Sequence, residues 1–308
     1  MTVTEQKLTF LSSDGRTTIH CKKWIPEGEV KAVLQIAHGM SEYVDRYGDF
    51  ARYMAENGVL TVGNDHLGHG DSVVSEEEKG YFKQPDGMEC VLSDMDTLRK
   101  NAECEYPGVP YFILGHSMGS FYTRVYISRR GEGLAGAVVM GTGRKSDSTL
   151  KAGMALCRTI AAKKGWHYRS KFVHAMSMGA NDKRFGKPRT FFDWLNRDPE
   201  AVDRYIADEK CGFMFTLDGF YQMFRVMREM MKKTTAENTP VMPVLFISGK
   251  DDPIGDFGKG VKKTFDEYLE NGKKAEILLY DGVRHEVLHD PEHERFYADI
   301  KNWLERNI

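Results

Sequence analysis

The chain has 308 residues, 41% hydrophobic and 29% charged, enough for one large α/β domain with an insertion or for two domains. A formal net charge of −2 gives no global reason to expect a nucleic-acid partner. Its five cysteines, Cys21, Cys90, Cys104, Cys157 and Cys211, are scattered without a CxxC pair, so no disulfide framework or zinc site is signalled and reduced thiols in a cytoplasm are expected.

In chain order, Met1 to Phe10 is polar and lacks the apolar run of a signal peptide. No window approaches the roughly 18 consecutive apolar residues of a membrane-spanning helix, so a soluble intracellular protein is expected. Leu8 to Phe10 and Thr17 to Trp24 flank the turn Ser12-Ser13-Asp14-Gly15-Arg16 and predict an antiparallel hairpin. Val30 to Ala37 is nearly continuous in apolar residues, the pattern of a strand buried on both faces, and breaks at His38-Gly39. Tyr47, Phe50, Ala51, Met54 and Ala55 recur at helical spacing before Gly58, and Val59 to Val62 is the next strand. The glycine-rich loop Asp65 to Ser72 and a helix from Gly87 to Glu105 follow.

Tyr111 to Leu114 is a buried strand that runs into Gly115-His116-Ser117-Met118-Gly119, and a helical pattern continues to Arg130. Leu134 to Met140 is another strand. The alternation implies a mostly parallel sheet with helices on both faces. It stops at Gly141-Thr142-Gly143 and resumes with a strand at Val244 to Ser248, a helix to Glu270, a strand at Ala275 to Tyr280 and a final helix to Arg306. Residues 1–142 and 240–308 therefore read as one α/β core, and 143–239 as a helical insertion.

A serine between strand and helix, with glycines two residues to either side, is the nucleophile-elbow pattern. Its hydroxyl is a poor nucleophile without a base, usually a histidine oriented by a carboxylate. Asp251-Asp252-Pro253 follows the strand ending at Ser248, and His285 follows the strand ending at Tyr280. Both lie at carboxyl ends of parallel strands, where open α/β sheets place their sites. Of the two aspartates, Asp252 is preferred because Pro253 holds it extended; the alternative for either is a loop carboxylate bound to local N–H groups. His289 and His293 lie nearer the final helix and read as solvated. The Met118 N–H, and the Met40 N–H in the turn after an early strand, are candidate donors to an oxyanion. Asp65 to Ser72 matches no zinc spacing and reads as a structural loop. His116 is expected to pack or bond locally.

His38-Gly39-Met40-Ser41-Glu42-Tyr43 with Arg46-Tyr47, the loop Asp65-His66-x-Gly68-His69-Gly70-x-Ser72, and Gly115-His116-Ser117-Met118-Gly119 resemble monoacylglycerol lipases and related lysophospholipase-like serine hydrolases. The resemblance covers about residues 30 to 142 and 243 to 305. It implies an α/β-hydrolase with Ser117, Asp252 and His285 as catalytic triad, Met40 and Met118 as oxyanion donors, and a helical cap over an acyl pocket. It implies no cofactor and no metal. Ser120 departs from the glycine common after the elbow, and the insertion aligns with no familiar cap.

Residues 144 to 189 carry twelve basic side chains against Asp147 and Asp182, a local charge of +10. Such a segment suits steering of anionic substrates or peripheral contact with an anionic membrane surface; a solvated face balanced elsewhere is the plainer reading. Phe213, Met214, Phe215, Phe220, Met223, Phe224, Met227, Met230 and Met231 suit an adaptable acyl pocket, or simply the core of the insertion. The expected activity is carboxylic-ester hydrolysis through an acyl-enzyme, on a monoacylglycerol, a lysophospholipid or a shorter acyl ester. The rivals are amide or peptide hydrolysis, which wants an acidic cluster for a substrate amine, and a non-catalytic receptor, which would be expected to lack a triad member.

Overall fold

A computed structural model describes residues 2–179, 181 and 185–308. Among them, eight strands form one sheet in the order β1-β2-β4-β3-β5-β6-β7-β8. The strands are β1 (Thr4–Leu11), β2 (Thr18–Ile25), β3 (Ala32–Ala37), β4 (Val59–Asn64), β5 (Tyr111–His116), β6 (Gly136–Met140), β7 (Pro243–Gly249) and β8 (Lys274–Tyr280). The predicted hairpin is β1 and β2, and β2 joins β4 antiparallel. From β4 to β8 every pairing is parallel.

The central strands alternate between two apolar layers, as a side-chain period of two requires. Val33, Ile113, Val139 and Phe246 face one layer, which includes residues of α2 (Gly87–Glu105), α3 (Met118–Arg130) and α9 (Lys259–Glu270). Leu34, Leu114, Val138 and Leu245 face the other, which includes α1 (Gly48–Glu56) and α10 (His293–Glu305). Gln35 is the polar exception in β3. It is fully buried, donates to the Met95 carbonyl at 3.1 Å and accepts from the Tyr111 hydroxyl at 2.7 Å, so its amide does not go unsatisfied.

Between β6 and β7 the chain leaves the sheet and runs through α4 (Asp147–Lys164), α5 (Lys171–Met178), α6 (Pro199–Ala207), α7 (Leu217–Met230) and α8 (Lys233–Glu237). Ser146, Ser170, Asp198 and Thr216 cap α4, α5, α6 and α7, each accepting a first-turn N–H with its side-chain oxygen. Among the described residues no helix is long and apolar enough to cross a membrane. All five cysteines are free, and all but Cys104 are buried.

Candidate active site

The tight turn from β5 into α3 holds Ser117 at φ 52° and ψ −119°, a left-handed backbone for a residue with a Cβ. The Ser117 N–H donates to the Met140 carbonyl at 2.9 Å, and the buried Ser120 hydroxyl donates to the Ser117 carbonyl at 2.6 Å. Ser120, where a glycine was the familiar residue, thus ties down the carbonyl of the strained serine. The flanking glycines are sterically required. A methyl on Gly119 would sit 2.0 Å from the Ala37 oxygen, and one on Gly115 would sit 2.4 Å from the Gly119 oxygen.

The two later strand ends meet at this turn. Asp252, fully buried after β7, has its Oδ2 2.9 Å from His285 Nδ1, while Asp251 is exposed. The carboxylate is fixed in turn: Oδ1 accepts from the Ile254 N–H at 2.8 Å and Oδ2 from the Ser248 hydroxyl at 3.3 Å. With Nδ1–H donating to Asp252, the other nitrogen of a neutral His285 is an acceptor. That Nε2 is buried and has no partner among the described residues. Ser117 and His285 line the same cavity, and no hydrogen bond yet joins them; such bonds are often loose before substrate binds.

The turn after β3 lies against the elbow: a methyl on Gly39 would come within 3.2 Å of the Ser117 Cβ. Several bonds fix its shape. His38 donates through Nδ1 to the Gly39 carbonyl (2.8 Å) and accepts the His66 N–H at Nε2 (2.8 Å), a neutral arrangement that agrees with burial pushing its pKa down to about 4. Ser41 sits at φ 54°, its hydroxyl donates to the Phe213 carbonyl at 2.7 Å, and its carbonyl accepts from the Gly212 N–H and the Tyr205 hydroxyl, each at 2.9 Å. Met40 and Met118 both line the cavity, and neither backbone N–H has an acceptor among the described residues. The loop Asp65 to Ser72 braces this turn from below, with Asp65 accepting the Val44 N–H at 2.9 Å and the Asp71 N–H at 2.8 Å. Among the described residues no cluster of His, Cys, Asp or Glu is arranged to hold a metal ion.

Behind the turn lies a buried ionic group that the sequence reading missed. Glu42 accepts the Gly39 N–H (2.6 Å) and the Tyr47 hydroxyl (2.8 Å), and its Oε1 is 3.2 Å from His116 Nδ1. Arg46 contacts Glu42 at 2.5 Å and both oxygens of Glu286 at 2.7 and 3.1 Å, with its guanidinium over the Tyr205 ring. Burial alone would raise both carboxyls. Arg46, then the bond to His116, holds Glu42 well below the usual carboxylate range, and Arg46 and His289 hold Glu286 below it. The only sequence signal was Glu42 and Arg46 at i,i+4 spacing; Glu286 is 240 positions from Arg46.

One expectation, for His289 and His293, needs correction, and two others gain detail. His116 packs in the interior, and its bonds reach Glu42 and, through Nε2 at 3.3 Å, the His285 carbonyl. His289 and His293 are half-buried, each bonded at 2.9 Å to a backbone carbonyl, of Arg46 and Asp290 respectively. Of the Phe/Met set, Phe213, Met223, Phe224 and Met227 line the cavity, whereas Phe215, Phe220 and Met230 are core.

The cavity above Ser117 has a volume of about 660 Å³ and mostly apolar walls. Leu150 and Leu156 of α4, Phe172 and Met176 of α5, and Met223 and Phe224 of α7 contribute to them.

A mostly parallel sheet of this order, with a strained serine at its central strand-to-helix turn, is the architecture of an α/β-hydrolase. The model of the Hydrolase_4 family, described as serine aminopeptidase S33, matches residues 28–292, and the chain belongs to that family. It is 27% identical to the monoglyceride lipase of Mus musculus over 311 aligned positions, covering 97% of this chain and 90% of the relative. A thermostable carboxyl esterase from Bacillus coagulans, solved with glycerol, superposes with a TM-score of 0.92 at 26% identity, covering 99% of each chain. A soluble variant of the Saccharomyces cerevisiae monoglyceride lipase, solved with a substrate analog, shares the fold at a TM-score of 0.77 and 19% identity, over 100% of this chain and 96% of that one. The chain is a serine ester hydrolase.

Proposed function

We propose that the chain cleaves lipid-like carboxylic monoesters, such as a monoacylglycerol or a lysophospholipid, or shorter acyl esters, through an acyl-enzyme. The apolar cavity that holds both Ser117 and His285 carries the reading. Ser117 Oγ attacks the ester carbonyl as His285 Nε2 takes its proton. Asp252 holds the imidazole in the tautomer that leaves Nε2 free and stabilises the imidazolium that forms. The Met40 and Met118 N–H groups stabilise the oxyanion. The imidazolium then protonates the leaving alcohol. A water, deprotonated by the same His285, attacks the acyl-enzyme and regenerates Ser117. No cofactor or metal is needed.

Residues 143–239 act in this reading as a helical cap on a core of 1–142 and 240–308. On the cap, Phe172 and Met176 are each 62% exposed one turn apart on α5, where Lys171 is exposed too, and Lys163 and Lys164 are exposed at the end of α4. That face suits peripheral contact with an anionic membrane surface at about 1 kcal/mol per basic residue near it. Several other cap cations are occupied: Arg144 pairs with Glu267 at 2.5 Å, Arg189 with Asp203 at 2.7 Å, and Arg169 binds backbone carbonyls. Lys183, Arg184 and Asp182, counted in the +10 segment, lie outside the described residues. The five free thiols fit the reducing cytoplasm as the site of action.

The family description raises amide hydrolysis as a second reading. Glu42 and Glu286 do line the cavity, but both are committed to Arg46, which leaves no unpaired carboxylate among its described lining residues to hold a substrate amine. Turnover across monoacylglycerols, lysophospholipids, p-nitrophenyl esters of graded chain length and aminoacyl amides tests the choice. Lipid monoesters are expected to have the highest kcat/KM; preferential turnover of the amides would overturn it.

A further inference from the structure

We propose that His116 is a positioning residue of this site, working as an imidazolium that clamps the oxyanion turn to the loop carrying His285. The inference rests on the proposed roles of Ser117, His285 and the Met40 N–H.

His116 Nε2 faces the His285 carbonyl at 3.3 Å, and a carbonyl only accepts, so Nε2 carries a proton. Nδ1 faces Glu42 Oε1 at 3.2 Å and the Tyr47 oxygen at 2.8 Å. The Tyr47 hydroxyl is also 2.8 Å from Glu42 Oε1, and by donating there it offers Nδ1 a lone pair. Both neighbours of Nδ1 are then acceptors, and a doubly protonated ring satisfies them. The ring is only 3% exposed, so its bonds are made mainly to these partners.

Charge balance leads to the same state. Glu42 and Glu286 are two buried carboxylates with one guanidinium, Arg46, between them. A charged His116 brings the group to neutrality; a neutral His116 leaves one negative charge beneath the place where the oxyanion develops. The other titratable rings nearby do not supply the missing charge, since burial lowers the pKa of both His38 and His289, and the Tyr47 phenol is pushed far up. Burial opposes charge on His116 as well, but the bond to Glu42 and the fields of Glu42 and Glu286 outweigh it and raise its pKa.

Mechanically, His116 precedes the elbow serine, Glu42 holds the Gly39 N–H next to Met40, and the His285 carbonyl belongs to the general-base loop. Gly141 packs tightly below: a methyl there would stand 3.1 Å from His285 Cε1 and 3.3 Å from His116 Cδ2. One ring thus joins three segments that must keep register.

The test is kcat and KM for a p-nitrophenyl ester across pH in wild type, His116→Gln, Glu42→Gln and Ser117→Ala, with thermal melts and fluorophosphonate labelling alongside. Wild-type kcat/KM is expected to fall on the alkaline side as His116 loses its proton. The His116 ring is 4.9 Å from the His285 ring, so its charge favours the oxyanion but opposes the imidazolium that forms on His285, and the expected effect of losing it is one of position, roughly ten- to a hundredfold. His116→Gln should show that loss in kcat at neutral pH with KM little changed, and should lack the alkaline limb. Glu42→Gln keeps an oxygen for the Gly39 N–H but removes the charge that holds the His116 proton, so it should move the alkaline limb to lower pH; it decides the matter if His116→Gln does not fold. An unaltered alkaline limb in both variants, or losses matched by KM, would overturn the proposal. Activity or labelling retained in Ser117→Ala would instead overturn the underlying mechanism.

Discussion

Arg46→Ala is the perturbation whose cost follows most directly from the buried ionic group. Arg46 is 11% exposed and bridges Glu42 and Glu286, which are 3% and 2% exposed. Its removal leaves both carboxylates without their guanidinium. Breaking a buried pair by deleting one partner costs about 3–5 kcal/mol, because the remaining charge stays desolvated. The loss should not double, since one carboxyl relieves the strain by taking a proton. An unfolding entropy of about 2.1 cal/mol/K per residue over a chain of this length gives roughly 0.65 kcal/mol per degree, so the melting temperature should drop by about 5–8 °C. The sign of the pH dependence is a second check. In wild type both glutamates have depressed pKa values, so their contribution is present above the unfolded carboxylate range and is lost as pH falls. In Arg46→Ala their pKa values rise, and protonation at low pH stabilises the fold. The gap between the two proteins should therefore narrow from pH 8 to pH 5 in calorimetric melts. Arg46→Ala combined with Glu42→Gln and Glu286→Gln should recover much of the loss. A drop below about 2 °C that is constant with pH would refute this account of the cluster.

Asp252→Asn should lower kcat by roughly 10⁴, because an amide favours the wrong imidazole tautomer, with little change in melting temperature; near-normal turnover would shift the acid role towards Asp251. Gly119→Ala forces a Cβ to within 2.0 Å of the Ala37 oxygen, so β3 and the elbow must separate. It should reduce fluorophosphonate labelling of Ser117 and lower stability by about 1–3 kcal/mol in denaturant melts; labelling at the wild-type rate would contradict the close approach.

The fold was legible because the central strands are apolar on both faces and break at polar turns. Val30 to Ala37, broken only by Lys31 and Gln35, and Tyr111 to Leu114 reveal themselves by their apolar runs, and α2 occupies the predicted Gly87–Glu105. Ser117, Asp252 and His285 stood out because each follows a strand's carboxyl end, a position that topology brings to one edge. The Glu42, Arg46, His116 and Glu286 group did not stand out, since a buried charge looks like a surface charge until its partner arrives from a distant element. The same limit applies to the basic segment, where Arg144 finds Glu267 and Arg228 takes Asp147. The cavity-lining residues were illegible for another reason. Met223 and Met227 line the cavity and Met230 does not, yet all three sit on one helix at spacings that suit core and pocket equally.

In the proposed mechanism Ser117, lifted from the sheet by its strained turn, carries the acyl group. Incubation with a fluorophosphonate probe, followed by peptide mapping, tests it most directly. Wild type should carry the label on Ser117, and Ser117→Ala should be neither labelled nor active on p-nitrophenyl esters. Equal labelling of the two proteins, or a label mapped to another residue, would contradict it.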